Sequence, residues 1–358
     1  MTKAQRLLFV CAALLLLPAV VLAGKPTPTP TPPPVSNRAV AFQANVSNGS
    51  GHLYVMNADG SQRTDITPSS GKGTYHQLPA WSPDGTRIAH LRRTLNSRTN
   101  TIETQDLYTV NANGTGLSLL CHLDQQVGWK DRDARDSTRN RFDWSPDMRW
   151  IVFGGKAATT VGDSSEIWAV NVSPNGQGAP TCEFVQLTHA NDPPVNCYAA
   201  TNAAWSPVLL DDGTYLHTQI AYTLQCDYGL DYDLVFLDVR IEKSTGVLTT
   251  GQETRMVRPG TWERCPDWDS LGARVAFDRL TGGGIWSVAP GSTEQLIDPF
   301  LNVGPRWSSD NRMLVAGDSS NLMWRVCADG TRLTSLGAGG WPDWNPKWQN
   351  DLPAGTCP

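Results

Sequence analysis

One pentapeptide, Trp81-Ser82-Pro83-Asp84-Gly85, recurs in degenerate form all the way to the C-terminus. The copies are Asp143-Trp144-Ser145-Pro146-Asp147, Ala204-Trp205-Ser206-Pro207, Asp267-Trp268-Asp269-Ser270, Arg306-Trp307-Ser308-Ser309-Asp310 and Asp343-Trp344-Asn345-Pro346. Trp81, Trp144, Trp205, Trp268, Trp307 and Trp344 therefore mark six repeats, spaced 63, 61, 63, 39 and 37 residues apart. In a repeat architecture no unit buries its own apolar face, and stacked neighbours supply the core. The repeated Trp side chains are read as packing between neighbouring units, not as ligand-stacking groups.

Each copy predicts the start of an antiparallel unit. In Ser82-Pro83-Asp84-Gly85, Pro presets φ, Asp tolerates the third position and Gly closes the turn, which joins two strands tightly. The second strands, Arg87-Ile88-Ala89-His90-Leu91, Trp150-Ile151-Val152-Phe153, Gln219-Ile220-Ala221-Tyr222, Arg274-Val275-Ala276-Phe277 and Met313-Leu314-Val315-Ala316, are rich in β-branched and aromatic residues. A third strand follows, such as Ile167-Trp168-Ala169-Val170-Asn171, and then a more polar fourth, such as Val185-Gln186-Leu187-Thr188. Four strands per repeat are what a propeller blade needs. Trp344 has no strands after it, while three strands near residues 38–42, 52–57 and 63–67 have no Trp copy before them. The expected fold is all-β: a six-bladed β-propeller closed by one C-terminal and three N-terminal strands, with no open edge.

The stretch Leu53-Tyr54-Val55-Met56-Asn57-Ala58-Asp59-Gly60-Ser61, followed by Pro79-Ala80-Trp81-Ser82-Pro83-Asp84-Gly85-Thr86-Arg87-Ile88-Ala89, resembles the TolB-type propeller repeat. The resemblance covers residues 38–346. It implies a six-bladed propeller, often periplasmic and often used for protein docking. The layout expected here is propeller only, without the small α/β domain that precedes it in TolB itself.

Ahead of the repeats, Lys3 and Arg6 precede an apolar run over residues 7–22 and a small-residue cleavage site ending at Ala23. Residues 1–23 read as a secretory signal peptide, which places the mature chain in the periplasm or outside the cell, with no stable membrane insertion. Residues 24–37 form a Pro/Thr-rich stalk of polyproline character, residues 38–346 the propeller, and residues 347–358 a tail. Losing Lys3 and Arg6 takes the formal charge from −5 to −7, and this acidity without a basic block argues against a nucleic-acid partner. Seven Cys remain after residue 23, and secretion favours disulfides. Strand placement suggests Cys226 with Cys265 and Cys327 with Cys357; Cys121, Cys182 and Cys197 stay unassigned.

Most insertions, at 92–105, 122–139, 156–165, 189–201 and 225–231, fall on one face of the expected ring, which marks that face for binding. Asp131 and Asp133 lie in one of these loops, interleaved with Arg that compete with any cation. Asp143, Asp267 and Asp343 immediately precede their Trp, with Arg306 at the equivalent place in a fourth repeat and Arg141 and Arg264 close by. On inner strands these residues are candidates for a polar ligand or partner, the competing role being ion pairs between blades. No G-x-S-x-G, H-E-x-x-H or phosphate-binding glycine loop is present, so no metal, cofactor or catalytic group is assigned. The enzymatic alternative is a metal-dependent lyase of the oligogalacturonate type, drawing on His76, Gln77, His189 and His217. The preferred reading is a monomeric scaffold that docks a protein or polar ligand through the inserted face and the channel mouth.

Overall fold

The protein is described from a computed structural model covering residues 37–47, 49–68, 70–99, 101–123, 141–156, 165–172, 181–190, 197–226, 231–256, 260–289 and 291–357. All regular structure among them is strand, twenty-five in number. Hydrogen bonds join these into four sheets of eight, nine, four and four strands.

The eight-stranded sheet begins with β25 (Gly340–Trp344) beside β1 (Val40–Val46), which continues antiparallel to β2 (Ser50–Met56) and β3 (Thr64–Asp65). In the β1–β25 register Val40 faces Trp344 and Ala41 faces Asp343, so the end of the chain supplies the neighbour of its beginning. A single parallel pair, Gly51 with Tyr75, leads on to β4 (Thr74–Trp81), β5 (Arg87–Leu95), β6 (Ile102–Asn111) and β7 (Ser118–His122), again antiparallel. The nine-stranded sheet has the same construction. Its first set is β8 (Asp143–Trp144), β9 (Trp150–Lys156), β10 (Ser165–Asn171) and β11 (Phe184–Gln186). A lone parallel pair, Ser165 with Ala199, precedes β12 (Cys197–Trp205), β14 (Tyr215–Cys226), β15 (Asp231–Glu242) and β16 (Leu248–Met256), with the short β13 (Leu210–Asp211) beside β14. The last two sheets are the meanders β17 (Glu263–Trp268) to β20 (Gln295–Asp298) and β21 (Val303–Trp307) to β24 (Thr334–Ala338).

The repeat motif makes its own turn. Gly85 N–H donates to Ser82 O at 2.8 Å, Ser82 Oγ donates to Asp84 Oδ1, and Arg87 N–H returns to Ser82 Oγ at 3.0 Å. Ser145 with Asp147 and Trp150, and Ser308 with Asp310 and Met313, repeat these contacts. At Gly85, φ is +68° and a Cβ would stand 2.6 Å from Asn345 Oδ1, so both backbone and space require glycine.

The core lies between successive antiparallel sets. Ala80, Ala89, Leu91 and Leu107 of one set pack with Phe142, Trp144, Ile151 and Phe153 of the next. Ala204, Ala221 and Leu234 pack in the same way with Trp268, Val275 and Phe277. Strands β18 (Val275–Arg279) and β22 (Met313–Gly317) are buried at every residue, which explains the continuous apolar run of β22 and of the first three residues of β18. The segment after β25 is part of this core: Trp348 and Cys357 are buried beside Val40, Met313 and Trp344.

Three disulfides link Cys121 to Cys182, Cys197 to Cys226, and Cys327 to Cys357. The Cys226–Cys265 pairing expected from the sequence is incorrect. Cys226 stands directly opposite Cys197 in the β12–β14 register, with Cα atoms 4.0 Å apart, and Cys265 is a buried free thiol. Burial pushes that thiol well above its usual range.

Five of the six Trp-bearing strands bulge at one position, three residues before the Trp. Leu78, Asn202, Cys265, Gly304 and Trp341 have φ of +56°, +54°, +52°, +49° and +52°. The pairing register shifts at or beside each of them. A bulge re-aims the side chains that follow it. Deleting residues 340–358 should leave β1 with a bare edge and uncover Val40, which is fully buried. Size-exclusion chromatography is expected to show aggregation, and urea unfolding loss of a single cooperative transition.

Candidate functional site

The residue before each Trp alternates in kind. It is Asp in Asp143, Asp267 and Asp343, and Ala or Arg in Ala80, Ala204 and Arg306. Each Asp accepts the main-chain N–H of the following repeat's Trp: Asp343 Oδ2 from Trp81 at 2.6 Å, Asp143 Oδ2 from Trp205 at 2.7 Å, and Asp267 Oδ2 from Trp307 at 2.7 Å. Bonds of this kind hold neighbouring sets in register and satisfy a buried donor.

The remaining carboxylate oxygens gather two guanidinium groups. Arg306 Nη1 donates to Asp267 Oδ1 at 2.7 Å and its Nε reaches Asp343 Oδ1 at 3.0 Å. Arg141 Nη2 meets Asp267 Oδ1 at 3.2 Å, and its Nη1 donates to Pro266 O at 3.2 Å. Asp143, by contrast, accepts only main-chain bonds among the described residues, from Trp144 at 3.0 Å and from Trp205. Burial is the largest cause acting on all three acids and raises them all. Asp143 and Asp343 are pushed up to about 7 against the pull of Arg141, and Asp267 lies well above its ordinary value.

These acids floor a cavity of about 360 Å³. All six repeat Trp line it, with Pro83, Pro146, Pro207 and Pro346 from the repeat turns and Ser270, Ser309 and Lys347 also on its lining. The indoles are only 3–6% exposed, as expected of packing residues, yet Trp144 alone places its Nε1–H on a protein acceptor, Ala80 O at 3.1 Å. Among the described residues the buried indole N–H groups of Trp81, Trp205, Trp268, Trp307 and Trp344 have no hydrogen-bond partner. Arg141 and Arg306 also line a much smaller space of about 10 Å³ with Leu78, Gly304 and Trp341.

The cavity opens at the Trp ends of the strands. Trp81 pairs with Ile88, whereas Thr74 pairs with Thr94 at the far end of the same hairpin, where the 92–105 insertion leaves. The 92–105 insertion, one of those favoured by sequence reasoning, therefore departs from the opposite strand end.

Of the residues expected at the site, Asp143, Asp267, Asp343, Arg141 and Arg306 come together. Arg264 does not join them: its Nη2 donates to Asp278 Oδ2 at 2.6 Å and to Asn302 O, away from the three acids. The bulge at Cys265, between Arg264 and Asp267, separates the directions of the two side chains. Asp131 and Asp133 lie outside the described residues.

The four residues named for a lyase are dispersed. His76 bonds Ser70 Oγ at 2.7 Å and His90 at 2.8 Å, His189 is beside Gln186, and His217 pairs with Asp212. Gln77 is on β4 next to His76, and none of the four lines the cavity. Among the described residues no three His, Cys, Asp or Glu side chains form a metal-sized group. The triplet Ser50–His52–Asp65, buried at Ser50 and His52 and half-buried at Asp65, with contacts of 2.9 and 2.6 Å, was not anticipated. It adjoins the His76–His90 pair and forms a polar core cluster. Its sequence signal is only the alternation of Ser50 and His52 on one strand face.

No protein-family model matches the chain, and no curated protein matches it. Among solved structures, TolB from Acinetobacter baumannii superposes with a TM-score of 0.56 at 17% identity, covering 87% of this chain and 67% of that one. Oligogalacturonate lyase from Vibrio parahaemolyticus gives 0.45 at 10% identity, covering 84% and 74%. The β-propeller domain of the Trilobed protease from Pyrococcus furiosus gives 0.42 at 10%, covering 85% and 93%. The likeness to TolB shows the fold: the chain is an all-β, TolB-like propeller, and the three disulfides are compatible with an extracytoplasmic location.

Two measurements check the charge network. Asp267→Ala strands two buried guanidinium groups and is expected to cost about 3–5 kcal/mol in urea unfolding, with Asp267→Asn costing less. Asp143 and Asp343 hold protons to about 7 when folded but only to the ordinary carboxylate range when unfolded. Their contribution is thus present at low pH and lost as pH rises through 7. Burial lowers His76 to about 4, so it acts in reverse and removes stability as pH falls from its ordinary value toward 4. The Asp143→Asn/Asp343→Asn double variant loses these two contributions and keeps the histidine effect. Its stability should decline more steeply than that of the parent between about pH 7 and pH 4.5.

Proposed function

We propose that this protein is a six-bladed, closed propeller that acts as an extracytoplasmic binding scaffold. Its guest, a protein segment or other polar ligand, docks at the channel mouth on the Trp-turn side. The larger sheets each divide at one lone parallel pair, Gly51 with Tyr75 and Ser165 with Ala199. That division leaves six antiparallel sets, each opened by one repeat Trp, and the β1–β25 pairing completes the sixth. Residues 1–23 act as a signal peptide for the periplasm or secretion, residues 24–37 as a stalk, and residues 38–346 as the propeller of a monomer.

The observation that carries the docking reading is the cavity itself. Its volume of about 360 Å³ falls within the range of ligand sites, and apolar Trp and Pro surround a few convergent polar groups. The TolB likeness supports the same use of the fold by analogy. No constellation in the described residues favours a reaction over binding at this mouth.

Ser270 is exposed and lines the cavity, so Ser270→Trp should obstruct the mouth without disturbing the core. Affinity capture from an extracytoplasmic extract is expected to lose its specific partner by about tenfold or more with this variant. Replacing residues 96–101 at the opposite strand ends by a short turn should leave capture unchanged. The reverse pattern would move docking to the inserted face.

A further inference from the structure

We propose that Asp143 is the counter-charge for a cationic group of the guest, a guanidinium or ammonium carried on a peptide, which enters the cavity and takes the place of a proton. The inference rests on the channel mouth being the docking site and names the chemistry it selects.

The charge count in the cavity floor is unequal. Asp143, Asp267 and Asp343 face two guanidinium groups, those of Arg141 and Arg306. Asp267 engages both Arg side chains and Asp343 engages Arg306. Among the described residues no cation pairs with Asp143, whose bonds go to the Trp144 and Trp205 main chain. Asp143 is also the most open of the three: it retains partial exposure while lining the cavity, whereas Asp267 and Asp343 are buried. A largely buried carboxylate without a paired cation is a poor resting state for the charged form.

A proton can supply the missing charge. Burial raises Asp143 to about 7, Arg141 pulls it down, and Asp343 pushes it up. Arg141 is itself buried and committed to Asp267, Pro266 O and Cys265 O. Lys347 lies on the exposed rim of the same cavity with no ion pair among the described residues. When a guest cation approaches, the Asp143 carboxyl gives its proton to buffer and the carboxylate pairs with the cation, so charge in the floor is conserved. The Trp and Pro side chains of the lining suit the aliphatic stem that carries a guanidinium or ammonium group on a peptide side chain. Binding should therefore release a proton near neutrality and weaken as pH falls.

The probes are N-butylguanidinium and its uncharged isostere N-butylurea, followed by calorimetry and by the indole N–H resonances of the ¹⁵N-Trp-labelled protein. N-butylguanidinium should shift cavity indoles saturably and bind about tenfold more tightly at about pH 8 than at about pH 6. At about pH 7 titrations in two buffers of different ionisation heat should reveal proton release. Asp143→Asn keeps an oxygen for Trp205 N–H; it should weaken N-butylguanidinium by about tenfold and abolish proton release. Equal binding of the urea isostere, or equal affinity at the two pH values, overturns the proposal in the unaltered protein even if the variant does not fold. If Ser270→Trp blocks partner capture while the guanidinium shows no advantage, only the cation assignment fails. If neither probe shifts an indole and Ser270→Trp leaves capture intact, the docking site fails with it.

Discussion

A carboxylate on alternate repeats reaches across to the main-chain N–H of the next repeat's Trp, and the rest of the site depends on that bond. Without Asp343, Asp143 and Asp267, the amides of Trp81, Trp205 and Trp307 would be buried donors with no side-chain acceptor. With them, Asp267 and Asp343 each have one oxygen fixed and the other on Arg141 or Arg306, whereas both oxygens of Asp143 rest on main-chain N–H groups. The burial that makes these bonds strong also makes the charges expensive. Arg141 and Arg306 offset part of that cost, and the single carboxylate left without a guanidinium gives the cavity its chemical character.

Much of this architecture is legible in the sequence, because turn chemistry and strand patterning repeat together. Ser82-Pro83-Asp84-Gly85 announces a turn through its residue types, and the Ser and Asp side chains close it as their donors and acceptors require. The unequal ends of the repeat series also point to β25 beside β1. The three acids and Arg306 were legible as a cluster because each immediately precedes its Trp, and Arg141 because it lies two residues ahead of Asp143. Arg264 was misplaced because the bulge three residues before the Trp has no residue signature. Leu78, Asn202, Cys265, Gly304 and Trp341 share left-handed backbone but no chemistry, and only one is glycine. Cys226 was misassigned for a related reason. The β12–β14 register that sets it opposite Cys197 depends on pairing over nine- and twelve-residue strands, which local patterning does not specify.

Two polar clusters in the molecule respond to protons in opposite senses. In the floor of the cavity burial favours protonated acids; around His76 and His90 burial favours neutral rings, with Arg92 reinforcing the effect. The His cluster belongs to the seam of β2, β4 and β5, near the single parallel pair of that sheet. Acid therefore loosens a seam of the scaffold while neutralising its cavity, and stability and guest affinity need not share a pH optimum.

In the six-bladed ring proposed above, the alternation of Asp with Ala or Arg also breaks the equivalence of the blades. A sixfold frame repeated without variation would offer an entering chain six indistinguishable azimuths. The acids reduce these to three, and the Arg side chains, by occupying two of the three, leave one. An elongated guest would then meet a keyed socket, its rotation about the channel axis fixed by which carboxylate lacks a companion. Divergence among the repeats thus gives a symmetric shell a unique heading.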